Sequence, residues 1–186
     1  MASRTKRVAW GMAIGGLVVA AGAAGVLVLG PRRKRPAGIQ ATGPLVGKAA
    51  PEIADGVEFW VNGKEAELRQ LKGKAVLLFF WHPRDEGGKS LAALPHVGKL
   101  ADSFERKGLV TIGLCVLDEP KEVEPTLREH GVKFRVGLDC DADVHRSYRI
   151  ENVKTPYCYL VDTRGMVAWE GRPDALAESA IEACLP

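Results

Sequence analysis

One continuous apolar run marks the centre of the chain. Ala75 to Trp81 is rich in aliphatic and aromatic residues, is too short for an independent helix, and is closed by His82-Pro83. This pattern predicts a strand that is buried on both faces. A polar loop with two glycines follows, and then an amphipathic helix is predicted by apolar residues at three- and four-residue spacing: Leu91, Leu94, Val97, Leu100 and Phe104. Junctions of this kind, from strand through loop to helix, often carry the chemistry of α/β proteins.

Strand and helix patterns alternate along the rest of the chain. Further strands are predicted at 109–117, 134–139, 157–161 and 166–169, and further helices at 120–131, 144–150 and 175–184. Pro125 predicts that the first of these later helices is broken or begins late. Asn62-Gly63 lies between two short strand-like segments and predicts an N-terminal β-hairpin. The alternation implies an α/β fold whose central sheet is mixed, largely parallel, and flanked by helices.

An uncharged segment precedes this predicted domain. Residues 8–30 carry no charge, and a helix of about 20 apolar residues can cross the hydrocarbon core of a bilayer. We expect residues 8–30 to be a retained transmembrane anchor behind a basic N-terminus at 1–7. A cleaved signal peptide is the alternative, because Ala21-Gly22-Ala23 offers a small-residue cleavage site. Residues 31–45 predict a flexible linker to a domain at 46–186.

Composition and charge exclude one class of partner. The 186 residues, 46% of them hydrophobic, suit one domain with an appendage. The net charge of +3 comes mostly from basic residues on either side of the uncharged segment. A nucleic-acid-binding surface would need that charge on the domain itself, so no nucleic-acid partner is expected. Three basic side chains precede the segment and four follow it, so the charges do not set its orientation.

Several short segments, taken in order, resemble one family. They are Gly47-Lys48-Ala49-Ala50-Pro51, Asn62-Gly63-Lys64, Leu71-Lys72-Gly73-Lys74, Phe79-Phe80-Trp81, Lys154 to Asp162, and Arg164-Gly165. Together they resemble the membrane-associated thioredoxin-like proteins of the TlpA/ResA type, within the redoxin (AhpC/TSA-related) group that includes peroxiredoxins. The resemblance covers about residues 46–186. It implies a thioredoxin-like fold, a role in cell redox homeostasis, and a domain on the extracytoplasmic side, which in bacteria is the periplasmic side.

The reactive residues of that family are missing from this chain. Its members carry Cys-x-x-Cys in the loop after Phe-Trp, whereas residues 82–90 contain no cysteine. Two ungapped counts put either Asp85 and Gly88, or Gly87 and Ser90, at the cysteine positions. A carboxylate and a serine hydroxyl favour a helix start but cannot exchange with a disulfide. The loop is therefore predicted to be a degenerate active site that comprises Trp81, Asp85, Gly87, Gly88, Lys89 and Ser90.

Four cysteines lie elsewhere in the sequence. Cys115, Cys158 and Cys184 occupy apolar patterns and are predicted to pack in the core. Cys140 lies between two aspartates at a strand end, which disfavours its thiolate but leaves disulfide formation open. Cys140 and Cys158 are the displaced candidates for catalysis if the protein is an active thiol–disulfide oxidoreductase or peroxidase.

Residues in and near the same loop suggest two further kinds of site. A Ser90–His–Asp85 arrangement would be hydrolytic, but nothing in the sequence places an oxyanion hole. A metal site could be drawn from His82, Asp85, Glu86 and His96, but their spacing matches no familiar zinc or copper pattern. No metal and no cofactor are therefore expected.

Thr155-Pro156 supports a prediction that needs no thiol. It resembles the cis-proline element of the family, beside which the backbone pairs with an extended segment of a protein substrate. The residues expected to line such a groove are Trp81, His82, Thr155, Pro156 and Tyr157, although Trp81 and Tyr157 could equally pack against the sheet. The favoured hypothesis is a redox-inactive, membrane-anchored protein that binds a protein partner or assists envelope assembly. The alternative is an active oxidoreductase or peroxidase with non-standard cysteines.

Overall fold

The computed structural model describes residues 43–117, 119–150 and 155–186. The predicted anchor at 8–30 and most of the predicted linker lie outside the described residues, so both remain predictions. Within the described part of the chain, no helix is both long enough and apolar enough to cross a bilayer.

A six-stranded mixed sheet forms the centre of the domain. Its strands are β1 (Phe59–Val61), β2 (Ala75–Phe80), β3 (Leu109–Cys115), β4 (Arg135–Leu138), β5 (Tyr157–Val161) and β6 (Val167–Gly171). They lie side by side in the order β1-β4-β3-β2-β5-β6. The parallel pairings are β2 with β3 and β3 with β4, while β1, β5 and β6 pair antiparallel with their neighbours. Among the described strands, the sheet is therefore mixed, as expected, but parallel only across β2, β3 and β4, so the expectation of a largely parallel sheet is wrong.

Strand β2 is buried on both faces, as its unbroken apolar run predicts. All six of its residues are inaccessible to solvent or nearly so. Because side chains alternate across a strand, Leu77 and Phe79 point into one hydrophobic cluster, whereas Leu78 and Phe80 point into the other. The central strand thus joins two separate layers of the core.

Helices cover the two faces of the sheet unequally. They are α1 (Lys89–Phe104), α2 (Pro120–Glu129), α3 (Asp143–Ser147) and α4 (Glu178–Glu182). The buried apolar residues of α1, α2 and α4 belong to one cluster, and Val144 of α3 belongs to the other. Helix α1 buries Leu94, Val97, Leu100 and Phe104 of the predicted apolar stripe, and Leu91 is partly buried.

Two helix predictions need correction. Helix α2 begins at Pro120 and continues through Pro125. Pro125 is exposed, so the carbonyl group that lacks its usual helical partner can bond to water. Helix α4 is shorter than the predicted 175–184. A short 3₁₀ turn at Pro173–Ala175 ends in extended backbone at Leu176 and Ala177, and the helix begins only after it.

The predicted N-terminal hairpin does not form. Strand β1 pairs with β4, with Phe59 opposite Leu138, instead of folding back on residues 64–66. Asn62 has a positive φ of 60°, as a turn residue would, but its side-chain amide donates a hydrogen bond to the Val132 carbonyl at 2.9 Å. The turn therefore leads the chain out of the sheet, and the long-range pairing with β4 overrides the local signal.

Candidate functional site

The candidate site lies at the edge of the sheet where the parallel strands end. The carboxyl ends of β2, β3 and β4 meet there, and antiparallel β5 begins there. A cavity of about 350 Å³ at this edge is lined by Trp81, His82, Asp85, Glu86, Lys89, Val116, His145 and Thr155. A second cavity of about 240 Å³ is lined by Lys89, Ala92, Ala93, His96, Pro156, Arg172, Pro173 and Asp174. Lys89 borders both, so the two cavities meet at the first turn of α1.

Asp85 and Ser90 tie the loop to the start of α1. Oδ2 of Asp85 accepts hydrogen bonds from the backbone N–H and the hydroxyl of Ser90, each at 2.8 Å. The Ser90 hydroxyl oxygen also accepts the backbone N–H of His82 at 3.2 Å, and Ser90 is fully buried. Asp85 thus binds one of the backbone donors that a helix start leaves unpaired. Because Ser90 bonds directly to Asp85, the structure does not assemble the Ser90–His–Asp85 arrangement.

Gly87 and Gly88 shape the turn that precedes the helix. Their φ values are 80° and 63°, and Gly88 is the residue immediately before the helix. This left-handed conformation is strained for residues with a Cβ atom. Lys89 and Ser90 are the first two helical residues, so the count that equates Gly87 and Ser90 with the family's two cysteines falls at the helix start.

His82 is held at the end of β2 as a neutral ring with a defined tautomer. Its Nδ1 accepts the backbone N–H of Arg84 at 3.0 Å. Burial lowers the pKa of His82, and the positive charge of Arg84 lowers it further. Because Nδ1 is an acceptor, the proton of the neutral ring lies on Nε2. His82 therefore presents a hydrogen-bond donor at its remaining nitrogen.

A buried Asp139–His145 pair lies beside the larger cavity, which His145 lines. Asp139 follows β4, and His145 lies in α3 with 6% of its surface exposed. Nδ1 of His145 lies 2.6 Å from Oδ2 of Asp139, which also accepts the His145 backbone N–H at 2.7 Å. Burial raises the pKa of Asp139, but the hydrogen bonds from His145 outweigh that effect, so the pKa lies below its usual value. Asp139 is therefore a carboxylate at neutral pH.

Sequence reasoning missed this pair as a functional feature. It treated Asp139 as a charge beside Cys140 and did not single out His145. The available signal was an aspartate at the carboxyl end of a predicted parallel strand, with a histidine six residues later in a short helix. Carboxyl ends of neighbouring parallel strands meet at one edge of a sheet, where ligands bind in α/β folds.

The proline element predicted beside the loop has the expected backbone. The Thr155–Pro156 peptide bond is cis. Thr155 lines the larger cavity and Pro156 the smaller one. Tyr157 is half-buried, whereas Trp81 is fully buried and stacks with Phe79 at a centroid distance of 6.3 Å. Trp81 thus belongs mainly to the core and forms only the floor of the site.

None of the four cysteines lines either cavity. Cys115, Cys158 and Cys184 are buried free thiols, and burial raises the pKa of all three, that of Cys184 to about 11. The half-buried Cys140 thiol donates a hydrogen bond to the Leu117 carbonyl at 3.2 Å.

The structure does not bring the two displaced candidates, Cys140 and Cys158, together. Strands β3 and β2 separate β4, which Cys140 follows, from β5, which contains Cys158. Three strand spacings amount to about 14 Å. A disulfide requires Cα atoms within about 7 Å of each other. The two cysteines could therefore pair only after a rearrangement of the sheet.

The structure also does not bring together the four residues of the candidate metal site. His82, Asp85 and Glu86 line the larger cavity, whereas His96 lines the smaller one. Within the described ranges, no group of three or more histidine, cysteine, aspartate or glutamate side chains could hold a metal ion.

Fold and site together define a thioredoxin-like protein: a mixed sheet between helices, with a cis-proline beside the loop that opens the first long helix. The chain belongs to the AhpC/TSA family, whose sequence model matches residues 46–170. This finding confirms the expected redoxin family.

Curated relatives agree with this assignment. The thiol-disulfide oxidoreductase ResA of Bacillus thuringiensis subsp. konkukian (strain 97-27) is 26% identical over 137 residues, which cover 74% of this chain and 75% of that protein. ResA of Bacillus subtilis (strain 168) is 31% identical over 106 residues, 57% of each chain. Protein DipZ of Mycobacterium tuberculosis (strain CDC 1551 / Oshkosh) is 29% identical over 126 residues, but these make up only 17% of DipZ.

Solved structures support the fold. A thiol:disulfide interchange protein from Bacteroides sp. aligns with a TM-score of 0.63 and 25% identity, over 75% of this chain and 90% of that one. A thioredoxin family protein from Chlorobium tepidum TLS aligns with a TM-score of 0.60 and 17% identity, over 77% and 99% of the two chains. At this level of identity, the second likeness shows the fold alone.

Proposed function

We propose that this protein is a membrane-anchored, redox-inactive redoxin that binds an extended segment of a protein partner beside Thr155-Pro156. The observation that carries the proposal is the start of α1, where Asp85 and Ser90 bond to each other at 2.8 Å. Thioredoxin-like relatives of the TlpA/ResA type have a thiol pair in this loop. The loop here keeps the electrostatic stabilisation of a helix start without a group that can exchange with a disulfide.

The residues around the loop also support the redox-inactive assignment. Among the described residues that line the two cavities, none is a cysteine. Cys158, the cysteine nearest in sequence to the cis-proline, is fully buried, and its pKa is raised by burial. A buried thiol with a raised pKa is a poor nucleophile, because the thiolate is the attacking species.

The geometry beside the proline favours partner binding by strand addition. The ladder between β2 and β5 begins at Tyr157, so the backbone of Thr155 precedes it. Backbone groups in that position can pair with an added strand, while cavities on either side receive alternate side chains. The cavities on the two sides of Lys89 would serve as those side-chain pockets.

Anchoring in the membrane and a domain on the extracytoplasmic side complete the proposal. They rest on the uncharged segment at 8–30 and on the resemblance to membrane-associated proteins. The partner would then be an envelope protein or a protein in transit through the envelope.

A redox titration tests the loss of thiol chemistry. Full-length protein is equilibrated across a series of glutathione poises, each cysteine is alkylated, and its oxidation state is read by mass spectrometry. We expect no two cysteines to switch together between about −300 and −120 mV, the span of known redox proteins. A pair that switched reversibly in this range would overturn the redox-inactive assignment. A Cys140→Ser, Cys158→Ser double variant would then show whether the displaced candidates are responsible.

Photocrosslinking tests the groove. A photoreactive amino acid replaces Ala93, which lines the smaller cavity, in cells that express the full-length protein. The matched control carries it at Asp102, which is exposed further along the same helix. We expect a discrete protein adduct from position 93 but not from position 102. Equal adducts from both positions, or none from position 93, would contradict binding in the groove.

A further inference from the structure

Two histidines of opposite hydrogen-bonding character line the larger cavity. Nδ1 of His82 accepts a backbone N–H, so its free nitrogen, Nε2, carries the proton. Nδ1 of His145 lies 2.6 Å from the Asp139 carboxylate, so in the neutral ring this nitrogen carries the proton and Nε2 is an acceptor. The cavity therefore offers one imidazole donor and one imidazole acceptor.

The surrounding structure fixes the orientation of the His145 ring. Asp139 is fully buried and accepts hydrogen bonds from the backbone N–H groups of Val144 and His145, which hold its carboxylate in place. Phe80 packs edge-to-face against the imidazole, with a centroid distance of 4.9 Å. Within the described part of the chain, Nε2 of His145 has no hydrogen-bond partner. An acceptor held so rigidly, on a ring that lines a cavity, is suited to a ligand.

Asp85 supplies a second acceptor in the same cavity. Its Oδ2 is engaged by Ser90, but its Oδ1 is buried and has no hydrogen-bond partner among the described residues. Buried polar atoms are rarely left unpaired, because the loss of hydration is costly. A backbone N–H of a bound peptide would satisfy this oxygen.

The pattern of donors and acceptors selects the chemistry of the ligand. A carboxylate can only accept hydrogen bonds, so it would leave the His145 acceptor unmet. It would also meet the acidic groups of Asp85 and Glu86 as well as the ammonium group of Lys89. An ammonium group can only donate, so it would leave the His82 donor unmet. A hydroxyl or a thiol both donates and accepts. Such a group could donate to Nε2 of His145 and accept from Nε2–H of His82.

We propose that the cavity of about 350 Å³ between His82 and His145 receives an uncharged hydroxyl- or thiol-bearing side chain of the bound peptide. The inference rests on the proposed function, since it names the kind of side chain that the partner inserts beside the cis-proline. His145 acts as the recognising acceptor, and Asp139 is the positioning residue that fixes the Nδ1–H tautomer and the orientation of its neutral ring.

Matched small ligands test the proposal on the full-length protein with ¹⁵N-labelled histidine. The probes are N-acetylcysteine amide, N-acetylserine amide and N-acetylalanine amide, each with a non-thiol reductant present. These probes have the same backbone and differ only in the side-chain group. NMR first reports the tautomer of His145 without ligand, for which we expect a protonated Nδ1 and an unprotonated Nε2. The opposite tautomer would overturn the proposal before any ligand is added.

We expect the Nε2 resonance of His145 to shift with the cysteine or the serine probe, and at least tenfold weaker binding of the alanine probe. A response to the cysteine probe alone identifies a thiol, and a response to the serine probe alone identifies a hydroxyl. In a His145→Gln variant, the preference for the cysteine or serine probe over the alanine probe should disappear. A His130→Gln variant should retain this preference, because His130 lies outside both cavities. Equal binding of all three probes, or no shift with any of them, would overturn the proposal.

The same experiments separate this inference from the proposed function. If the probes fail but crosslinking at Ala93 persists, the protein binds a partner in the groove without this side-chain preference. If crosslinking fails as well, partner binding in the groove is itself contradicted.

Discussion

Asp139 combines two tasks at a single residue, because it caps α3 and orients His145. Its carboxylate accepts two backbone N–H groups and the imidazole, all while fully buried. A sequence pattern could not reveal this arrangement, because the contact depends on how the chain turns between β4 and α3. By contrast, the role of Asp85 and Ser90 at a helix start was predictable, because capping is a local property of the loop.

Replacing Asp139 with asparagine should destabilise the protein in a pH-dependent manner. The folded-state pKa of Asp139 is lowered, so its stabilisation is present above the unfolded value of about 3.9 and is lost as pH falls through the folded value. We expect Asp139→Asn to lower the free energy of unfolding by about 2 kcal/mol at pH 7, the size expected for hydrogen bonds to a charged group. The difference from wild type should shrink below pH of about 4. Urea denaturation of both proteins at pH 7 and below pH of about 4 measures this difference in the free energy of unfolding.

The exposed neighbour Asp141 provides the control for this measurement. Asp141→Asn should change stability by less than about 0.5 kcal/mol at either pH. A destabilisation by Asp139→Asn that stayed the same size down to pH 3 would show that the charge is not involved.

At the scale of the elements, a sequence pattern within one segment predicted burial correctly, whereas a turn signal did not predict which strands pair. The burial of β2 and the apolar face of α1 follow directly from their sequences. The hairpin at Asn62-Gly63 failed because β1 found its partner in β4, more than 70 residues away. The partner of a strand is decided by the whole sheet, so a two-residue turn signal does not determine it.

Gly88 directly precedes α1 and Gly98 lies within it. Replacing each with alanine should change the free energy of unfolding in opposite directions. Gly88 has φ of 63°, and a Cβ there would meet no atom within 4 Å, so Gly88→Ala tests backbone strain alone. We expect it to cost about 1 kcal/mol. Gly98 lies inside the helix with equally open surroundings, and Gly98→Ala should stabilise by about 0.5–1 kcal/mol. Urea denaturation of both variants checks the signs. Destabilisation by Gly98→Ala would mean that the space beside it is needed.

For the whole molecule, the proposed anchor predicts how the protein fractionates. Full-length protein should remain with membranes after carbonate extraction. Leu17→Lys together with Val19→Lys should release it, because each lysine near the bilayer centre costs about 3 kcal/mol. Gln40→Lys, in the predicted linker, is the matched control and should stay bound. A mature protein that begins after Ala23 would show instead that residues 8–30 contain a signal peptide.

Much of the architecture at this scale could be predicted from the sequence, since alternating patterns and family-like segments together indicated a thioredoxin-like fold. The His82 and His145 cavity could not be predicted. It forms where three strand ends, a loop and a short helix converge, and the residues involved are more than 60 positions apart.

The two edges of the sheet differ in their exposure to a foreign strand. At one edge, residues 47–49 pair with the beginning of β6, through hydrogen bonds between Gly47 and Val167 and between Val167 and Lys48. At the other edge, among the described residues, β1 is open on its outer side and carries Phe59 with 44% of its surface exposed. Open strand edges promote aggregation, and brevity is one protection against it. With three residues, β1 offers too short a template for amyloid-like growth, so even a high local concentration of these domains should not join them edge to edge.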